Sequence, residues 1–316
     1  MKGGIYEKNC SNGNVSSVSG IACNSFLECC SDDDGGYANY LIMIFVGEYG
    51  EGFMIQPFKY LYGPVQSWRL GRSLGVDPLS EETKTCNMNC AYCQLGKTVD
   101  LTQERRDFIK VDDLMAEIER MPEFFVDYIT FSGRGEPTLA KNLGEMIRAI
   151  KSRRREKVAV ITNSTLLSHK DVQDDLLAAD FVLVKLDAYD QESLNCIDGV
   201  CGIDYEELMR GVFAFRSRYK GKFALQIMLV EENFQHLNRL STLAFFLNPD
   251  EVQLNTPIRP SACAPLSKDR ILTAKKFFKN VPVISCYDVP VSQTQPIDEQ
   301  ATTTRHGNYR KSRYVY

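Results

Sequence analysis

The sequence predicts an α/β fold, a partial (β/α)6 TIM-like barrel of parallel strands with outer helices. From about residue 60, short apolar runs alternate with segments of helical periodicity. Strands that alternate with helices of this length are typical of βαβ units and a parallel sheet. About six such units follow a first strand, a number that fits a barrel and also a doubly wound sheet. In both folds, the loops after the strands carry the chemistry.

Strands are predicted where apolar and β-branched residues run together, and helices where apolar residues recur every three or four positions. The predicted strands are residues 74–79, 126–131, 157–162, 180–186, 223–230, 251–255 and 281–284. The predicted helices are residues 141–153, 170–179, 205–218, 234–246 and 268–278. Strands that are apolar almost throughout, such as 223–230, suit a sheet covered by helices.

The two ends of the chain differ from this pattern. Residues 1–58 are rich in Ser, Asn, Gly and Asp without a sustained period, so we expect an irregular extension prone to disorder. Residues 59–288 form the core domain, and residues 289–316 are predicted to be an irregular basic tail. That tail is either a frayed terminus or a basic arm for RNA. The cysteines of the extension are either an auxiliary metal site or incidental; they are Cys10, Cys23, Cys29 and Cys30.

Charge and hydropathy limit the class of protein. The net charge of −4 arises within the first 60 residues, and the remainder is neutral. A neutral body does not indicate a nucleic-acid partner, although a local basic patch can suffice. The most apolar stretch, residues 40–46, is too short to cross a bilayer, and the N-terminus lacks the layout of a signal peptide. We therefore expect a cytoplasmic protein that does not enter the membrane.

Three closely spaced cysteines are the most informative feature of the sequence. Cys86, Cys90 and Cys93 have the spacing Cys-x3-Cys-x2-Cys. Thiolates are the usual ligands of iron–sulfur clusters, and a tight loop can place three of them around one [4Fe-4S] cube. Three protein ligands leave the fourth iron open to a substrate or cofactor. Zinc is an alternative, but a tetrahedral site usually has a fourth protein ligand, and no histidine lies near the motif.

The motif, with Tyr92 directly before its third cysteine, resembles the signature of the radical S-adenosylmethionine (SAM) superfamily. Residues 62–76 and 94–98 are similar to a group of Fe-S oxidoreductases related to wyosine-type tRNA-modifying enzymes, and the similarity covers roughly residues 60–285. That group usually has Pro and Arg where this chain has Gln66 and Trp68.

The resemblance implies that residues 59–288 are a radical SAM core domain with two cofactors, a [4Fe-4S] cluster and SAM. The reduced cluster would cleave SAM to a 5′-deoxyadenosyl radical, which abstracts hydrogen from a substrate. A reductase or a flavodoxin- or ferredoxin-type protein would supply the electron. The substrate stays open between a tRNA base, a partner protein that receives a glycyl radical, and a small metabolite.

The resemblance also indicates which residues bind SAM. Residues 132–139 are similar to the Gly-Gly-Glu element of the family, with Arg134 interposed. Gly133 and Gly135 would let the backbone approach the ligand, and Glu136 would accept hydrogen bonds from its ammonium group. Tyr92, beside the third cysteine, belongs to the same set of predicted cofactor contacts.

Polar residues at the ends of later strands complete the predicted site. Asn163 and Ser164 follow the strand 157–162, where they would contact SAM or cap a helix. Lys185 and Asp187 share one face of the next strand, which favours either a ligand contact or a mutual salt bridge. Gln226 lies in the middle of an apolar strand and needs a polar partner if it points into the barrel.

Two functions other than catalysis fit the cysteines alone. The first is an electron-transfer iron–sulfur protein, which usually has four cysteine ligands and does not need the Gly-rich element. The second is a binding module stabilised by zinc. Metal content separates the zinc protein from the other two.

Overall fold

The sheet of this protein is a curled half-barrel, as the sequence predicts. The computed structural model describes residues 57–289 and 294–306. Eight strands pair in the order β1-β2-β5-β6-β7-β8-β9-β10, and only β1 runs antiparallel to its neighbour. These strands are β1 Leu61–Ser67, β2 Gly71–Val76, β5 Tyr128–Phe131, β6 Lys157–Thr162, β7 Phe181–Lys185, β8 Lys222–Met228, β9 Glu251–Asn255 and β10 Val283–Ser285. Two short strands, β3 Thr85–Cys86 and β4 Asp100–Leu101, pair separately.

In the described part of the chain, eight helices lie between strands and a ninth, α9, follows the last strand. They are α1 Val111–Glu119, α2 Leu143–Arg153, α3 Lys170–Leu176, α4 Gln191–Ser193, α5 Tyr205–Arg218, α6 Glu231–Phe234, α7 Leu237–Leu247, α8 Lys268–Lys275 and α9 Glu299–His306. A 3-10 turn occupies Pro137–Leu139 and a π-helical turn occupies Leu194–Asp198. The five predicted helices correspond to α2, α3, α5, α7 and α8, and each ends close to its predicted boundary. The sequence analysis does not predict α1, although Val111, Leu114 and Ile118 recur at helical spacing, or the short helices α4 and α6. It also does not predict α9, which has Ala301 as its one apolar residue and so lacks an apolar stripe.

The alternation of side chains along the strands builds two separate apolar layers. On β7, Val182 and Val184 belong to the main core that packs the sheet against the helices. Phe181 and Leu183, which point to the opposite face, belong to a smaller cluster with Leu70 and other inward-facing residues. The smaller cluster fills part of the inner face of the half-barrel, and the polar residues of the same face line a cavity.

The segment 294–306 is packed along β1 and differs from the irregular tail that the sequence predicts from residue 289. The backbone N–H of Gly63 donates to Thr302 Oγ1 at 2.8 Å, and the N–H of Ile297 donates to the Gly63 carbonyl at 2.6 Å. Thr302 is fully buried. These bonds satisfy polar backbone groups of β1, a strand at the edge of the sheet. The contacts that hold this helix come from β1, which is far away along the chain, so the local sequence does not predict it.

Several sequence predictions lie outside the described residues. They concern the N-terminal extension with its cysteines Cys10, Cys23, Cys29 and Cys30, and the basic residues Arg310, Lys311 and Arg313. Within the described ranges, no helix is both long enough and apolar enough to span a membrane.

Candidate cofactor site

A cavity of about 260 Å³ lies on the inner face of the half-barrel, at the carboxyl ends of its strands. Most of the residues that the sequence predicts for the site line this cavity. They are Cys86, Cys90, Tyr92, Cys93, Gly133, Gly135, Glu136, Asn163 and Lys185. Ser164 and Asp187 lie behind this wall and line a smaller pocket instead. Gln226 and Asn255 also face the cavity.

The cysteine loop is held by backbone hydrogen bonds at both ends. Cys86 is the last residue of β3, and the N–H of Cys93 donates to the Cys90 carbonyl at 3.0 Å, which closes a turn. The N–H groups of Asn89 and Ala91 donate to carbonyl groups of the π-helical turn 194–198, both at 3.0 Å. These bonds direct all three cysteines toward one cavity.

The three thiols are free, and their chemistry fits an iron–sulfur cluster. Among the described residues, no three or more His, Cys, Asp or Glu side chains are close enough together to hold one metal ion. Burial, followed by the charge of Glu136, raises the pKa of Cys86 to about 11, and burial also raises the pKa of Cys90. Both thiols are therefore protonated without a bound cation, and cluster binding would release their protons.

The two glycines of the Gly-rich element, residues 132–139, allow it to pack against neighbouring loops. Gly133 has φ of +136°, and a methyl group there would collide with the side chain of Asp77. A methyl group on Gly135 would collide with the carbonyl oxygen of Thr85. Gly135 and Thr85 also form an isolated parallel β-bridge. The element thus lies directly against the strand that leads into the cysteine motif.

Glu136 organises the loop that carries it and the end of β6. Its carboxylate accepts hydrogen bonds from the hydroxyls of Thr138 and Thr162, both at 2.7 Å, and from the N–H of Thr138 at 3.1 Å. The N–H of Asn163 donates to its other oxygen at 2.7 Å. Burial nevertheless raises the pKa of this carboxyl group. A carboxylate has about four acceptor positions, so the oxygen facing Asn163 can accept a further hydrogen bond.

Asn163 and Ser164 follow β6 but have different surroundings. The amide nitrogen of Asn163 lies 3.7 Å from Cys86 Sγ and donates to Asn87 Oδ1 at 2.6 Å. Ser164 is fully buried with φ of +71°, and its hydroxyl donates to the Lys185 carbonyl at 2.7 Å. Asn163 therefore faces a cysteine of the motif, whereas Ser164 joins the ends of β6 and β7.

A buried polar cluster, formed by Tyr92, Lys185, Asp187 and Asp198, lies beside the cysteine loop. Lys185 Nζ is 2.8 Å from Asp187 Oδ2, so the mutual salt bridge considered above is present. The Tyr92 hydroxyl donates to Asp198 Oδ1 at 2.9 Å and also contacts Asp187 and Lys185. Burial lowers the pKa of Lys185, but the charges of Asp187, Cys90 and Asp198 outweigh it and raise the pKa.

Sequence reasoning misses Asp198 because it lies in the π-helical turn, away from any motif. Burial and then the charge of Asp187 raise its pKa to about 7. It also misses a set of cavity residues from the β1–β2 hairpin, the loop after β9 and α9. They are Trp68, Arg69, Arg259, Arg305 and His306. Trp68 is a position where the sequence departs from the group that it resembles. This departure is the one feature of the local sequence that could have indicated these cavity residues.

Comparison with known proteins identifies relatives of the whole core. The family model described as the radical SAM superfamily matches residues 81–244. A UPF0026 protein of Synechocystis sp. is 39% identical over 245 residues, which cover 77% of this chain and 89% of that protein. The matched residues of the family model include the cysteine motif, the Gly-rich element and the polar residues after β6 and β7.

Solved structures share the fold at low sequence identity. The structure of Streptococcus suis SuiB bound to precursor peptide SuiA aligns with a TM-score of 0.53 and 13% identity, over 67% of this chain and 48% of SuiB. This chain thus spans about half the length of SuiB. A structure of TYW1 with a lysine-pyruvate adduct bound aligns with a TM-score of 0.50 and 17% identity, over 66% of this chain and 74% of TYW1. Both similarities concern the partial barrel.

Proposed function

This chain belongs to the radical SAM superfamily, and we propose that it is an enzyme whose Cys86, Cys90 and Cys93 hold a [4Fe-4S] cluster with SAM bound beside it. The observation that carries the proposal is the shared cavity. The three free thiols and most of the predicted SAM contacts, contributed by separate segments of the chain, line one space. The exposed cysteines Cys196 and Cys201 do not line it.

When bound, the cluster and SAM supply a 5′-deoxyadenosyl radical that can abstract hydrogen from a substrate. The chain positions these groups. Asn163, whose amide nitrogen is 3.7 Å from Cys86 Sγ, donates toward the sulfur, and hydrogen bonds to ligand sulfurs tune the reduction potential of a cluster. Glu136 offers its remaining acceptor position to the SAM ammonium group. The electron comes from a reductase or from a flavodoxin- or ferredoxin-type donor.

The polar cluster beside the cysteine loop keeps that loop in place. Lys185 and Asp187 neutralise each other at 2.8 Å, so they fix Tyr92 without presenting a net charge to SAM. Tyr92 in turn precedes Cys93, and its buried ring packs with Ile197 and Val230. We therefore assign Lys185, Asp187 and Ser164 to positioning the loop and strand ends, and Asn163, Gly133, Gly135 and Glu136 to the cavity side of the SAM site.

The test is anaerobic reconstitution with iron and sulfide, followed by metal analysis and electron paramagnetic resonance (EPR) of the reduced protein. We expect iron and sulfide in the proportions of a cubane, and a change in the EPR spectrum when SAM is added. Cys93→Ala should lose the cluster, whereas Cys201→Ala, at an exposed cysteine, should keep it. A cluster that does not respond to SAM would indicate an electron-transfer protein, and zinc without iron would indicate a binding module.

A further inference from the structure

Two arginines line the cavity without a carboxylate partner. Arg69 lies in the hairpin between β1 and β2, and its Nε and Nη1 atoms are buried without a hydrogen-bond partner. Arg259 follows β9 and donates to the backbone carbonyl of His306. Neither forms a salt bridge with another described residue. Arg305, the third arginine of the cavity, differs from them because its Nε lies 3.4 Å from Asp77 Oδ2.

The two unpaired guanidinium groups are close enough to repel each other. Burial lowers the pKa of Arg69 to about 10, and burial followed by the charge of Arg69 lowers the pKa of Arg259 to about 10. Among the described residues, the charges that act on Arg69 and Arg259 come from Cys286, Tyr62 and Arg69 itself, and include no Asp or Glu. Two like charges that are half-buried in one cavity are costly unless an anion compensates them.

The contacts that the described residues make with the two guanidinium groups compensate their charge only in part. The Arg69 guanidinium lies 4.8 Å from the centre of the Trp68 ring, a cation–π contact. Arg259 meets the carbonyl of His306, where α9 ends and the helix dipole is negative. A ring face and a carbonyl dipole attract a guanidinium without neutralising it. Arginine stays protonated in proteins, and residues 57–289 and 294–306 supply no carboxylate to this pair, so an anionic ligand would complete the site.

We propose that Arg69 and Arg259 bind an oxyanion group, a carboxylate or a phosphate, of the substrate. A guanidinium presents paired N–H donors that match the geometry of both groups. The two arginines belong to segments distinct from the predicted SAM contacts at 132–139, 163–164 and 185–187, yet they share the cavity. The statement that the anion belongs to the substrate rests on the proposed function. Anion binding itself can be measured without turnover.

Trp68 provides the reporter, because it is the only tryptophan of the chain and lies beside Arg69. Reconstituted protein saturated with SAM is titrated with inorganic phosphate and, separately, with acetate at constant ionic strength, while tryptophan fluorescence is recorded. We expect a saturable change with at least one of the two anions. The anion that binds more tightly identifies the group as phosphate or carboxylate.

Substitution of the arginines makes the test specific. Arg69→Met is expected to weaken anion binding about tenfold or more, as the loss of a charge-assisted hydrogen bond implies. Arg259→Met should do the same, although it also removes the bond to His306. Arg210→Met, at an exposed position on α5, is the matched control and should bind the anion as the wild type does.

Thermal unfolding without added anion separates a binding role from a structural one. Removal of an uncompensated, half-buried charge should raise the melting temperature of Arg69→Met, whereas loss of a structural contact would lower it. The proposal is overturned if neither anion gives a saturable signal, or if Arg69→Met binds both anions as tightly as the wild type. It is also overturned if SAM competes with the anion, because the arginines would then bind the SAM carboxylate. If the protein binds the anion but its cluster does not respond to SAM, the proposed function is refuted, whereas the anion site formed by Arg69 and Arg259 is supported.

Discussion

The backbone of Gly135 lies directly against the backbone of Thr85, the residue before the first cysteine of the motif. The contact joins the Gly-rich element to the strand that carries Cys86. No side chain larger than hydrogen fits at Gly135, since a methyl group would overlap the Thr85 carbonyl oxygen. The two sequence motifs of the family are therefore one structural unit, in which the position of one fixes the position of the other.

Gly135→Ala is expected to displace Cys86 and to lower cluster occupancy. Relief of the clash requires the backbone of one loop to shift, and overpacking of this kind costs about 1–3 kcal/mol of stability. Iron and sulfide content after reconstitution measures the effect. Gly202→Ala is the control, because it strains a backbone of positive φ, but the added methyl group would meet only Gln103, at 3.7 Å, and no part of the cysteine motif. Equal iron content in both variants would show that the loop contact does not position the cysteine.

Lys185→Met is expected to destabilise the protein by about 3 kcal/mol or more. The substitution leaves the buried Asp187 and Asp198 without a counter-charge, and removal of one partner from a buried ion pair is costly. Urea unfolding followed by circular dichroism measures the free energy of unfolding. Lys170→Met breaks an exposed pair with Asp174 and should leave this free energy nearly unchanged. If both variants are as stable as the wild type, the charge of Lys185 does not stabilise the buried polar cluster that it forms with Tyr92, Asp187 and Asp198.

His306 is expected to make stability fall with decreasing pH. Burial, followed by the charges of Arg259 and Arg69, lowers the pKa of His306 well below its usual 6.5. The unfolded chain then binds more protons than the folded one below about pH 6.5, so stability is lost as the pH falls through that value, by up to about 1.4 kcal/mol per pH unit.

The pH dependence of the melting temperature tests this expectation. His306→Asn should flatten the curve between about pH 6.5 and 5, whereas His169→Asn, at an exposed histidine, should leave the slope of the wild type. A His306→Asn curve parallel to that of the wild type would mean that His306 is charged in the folded protein or that α9 leaves the cavity at low pH.

The fold, and the gathering of most candidate site residues at one cavity, could be predicted from the sequence because the signals are local. The runs at 157–162 and 181–185 are apolar almost throughout, so they predict buried parallel strands, and the cysteine motif spans eight residues. The cavity residues that the sequence does not reveal are brought there by tertiary contacts. Gly63 and Thr302, for example, are bonded across 239 positions of the chain.

The difference between local sequence signals and tertiary contacts also explains which site residues have unexpected surroundings. Period-two alternation places Lys185 and Asp187 on one face, but it does not indicate that Tyr92 of the cysteine loop contacts both of them and also Asp198. Ser164 follows a strand as Asn163 does, yet its positive φ turns the hydroxyl toward Lys185 and away from the cavity. Backbone conformation and contacts between distant residues decide these details, and neither leaves a periodic signal.

The most direct measurement is the formation of 5′-deoxyadenosine and methionine from SAM by the reduced, reconstituted protein under anaerobic conditions. The account predicts both products from the wild type and from Cys201→Ala, and neither from Cys90→Ala. A wild-type protein that carries an intact cluster but forms no 5′-deoxyadenosine, and whose reduced cluster does not respond to SAM, would contradict it.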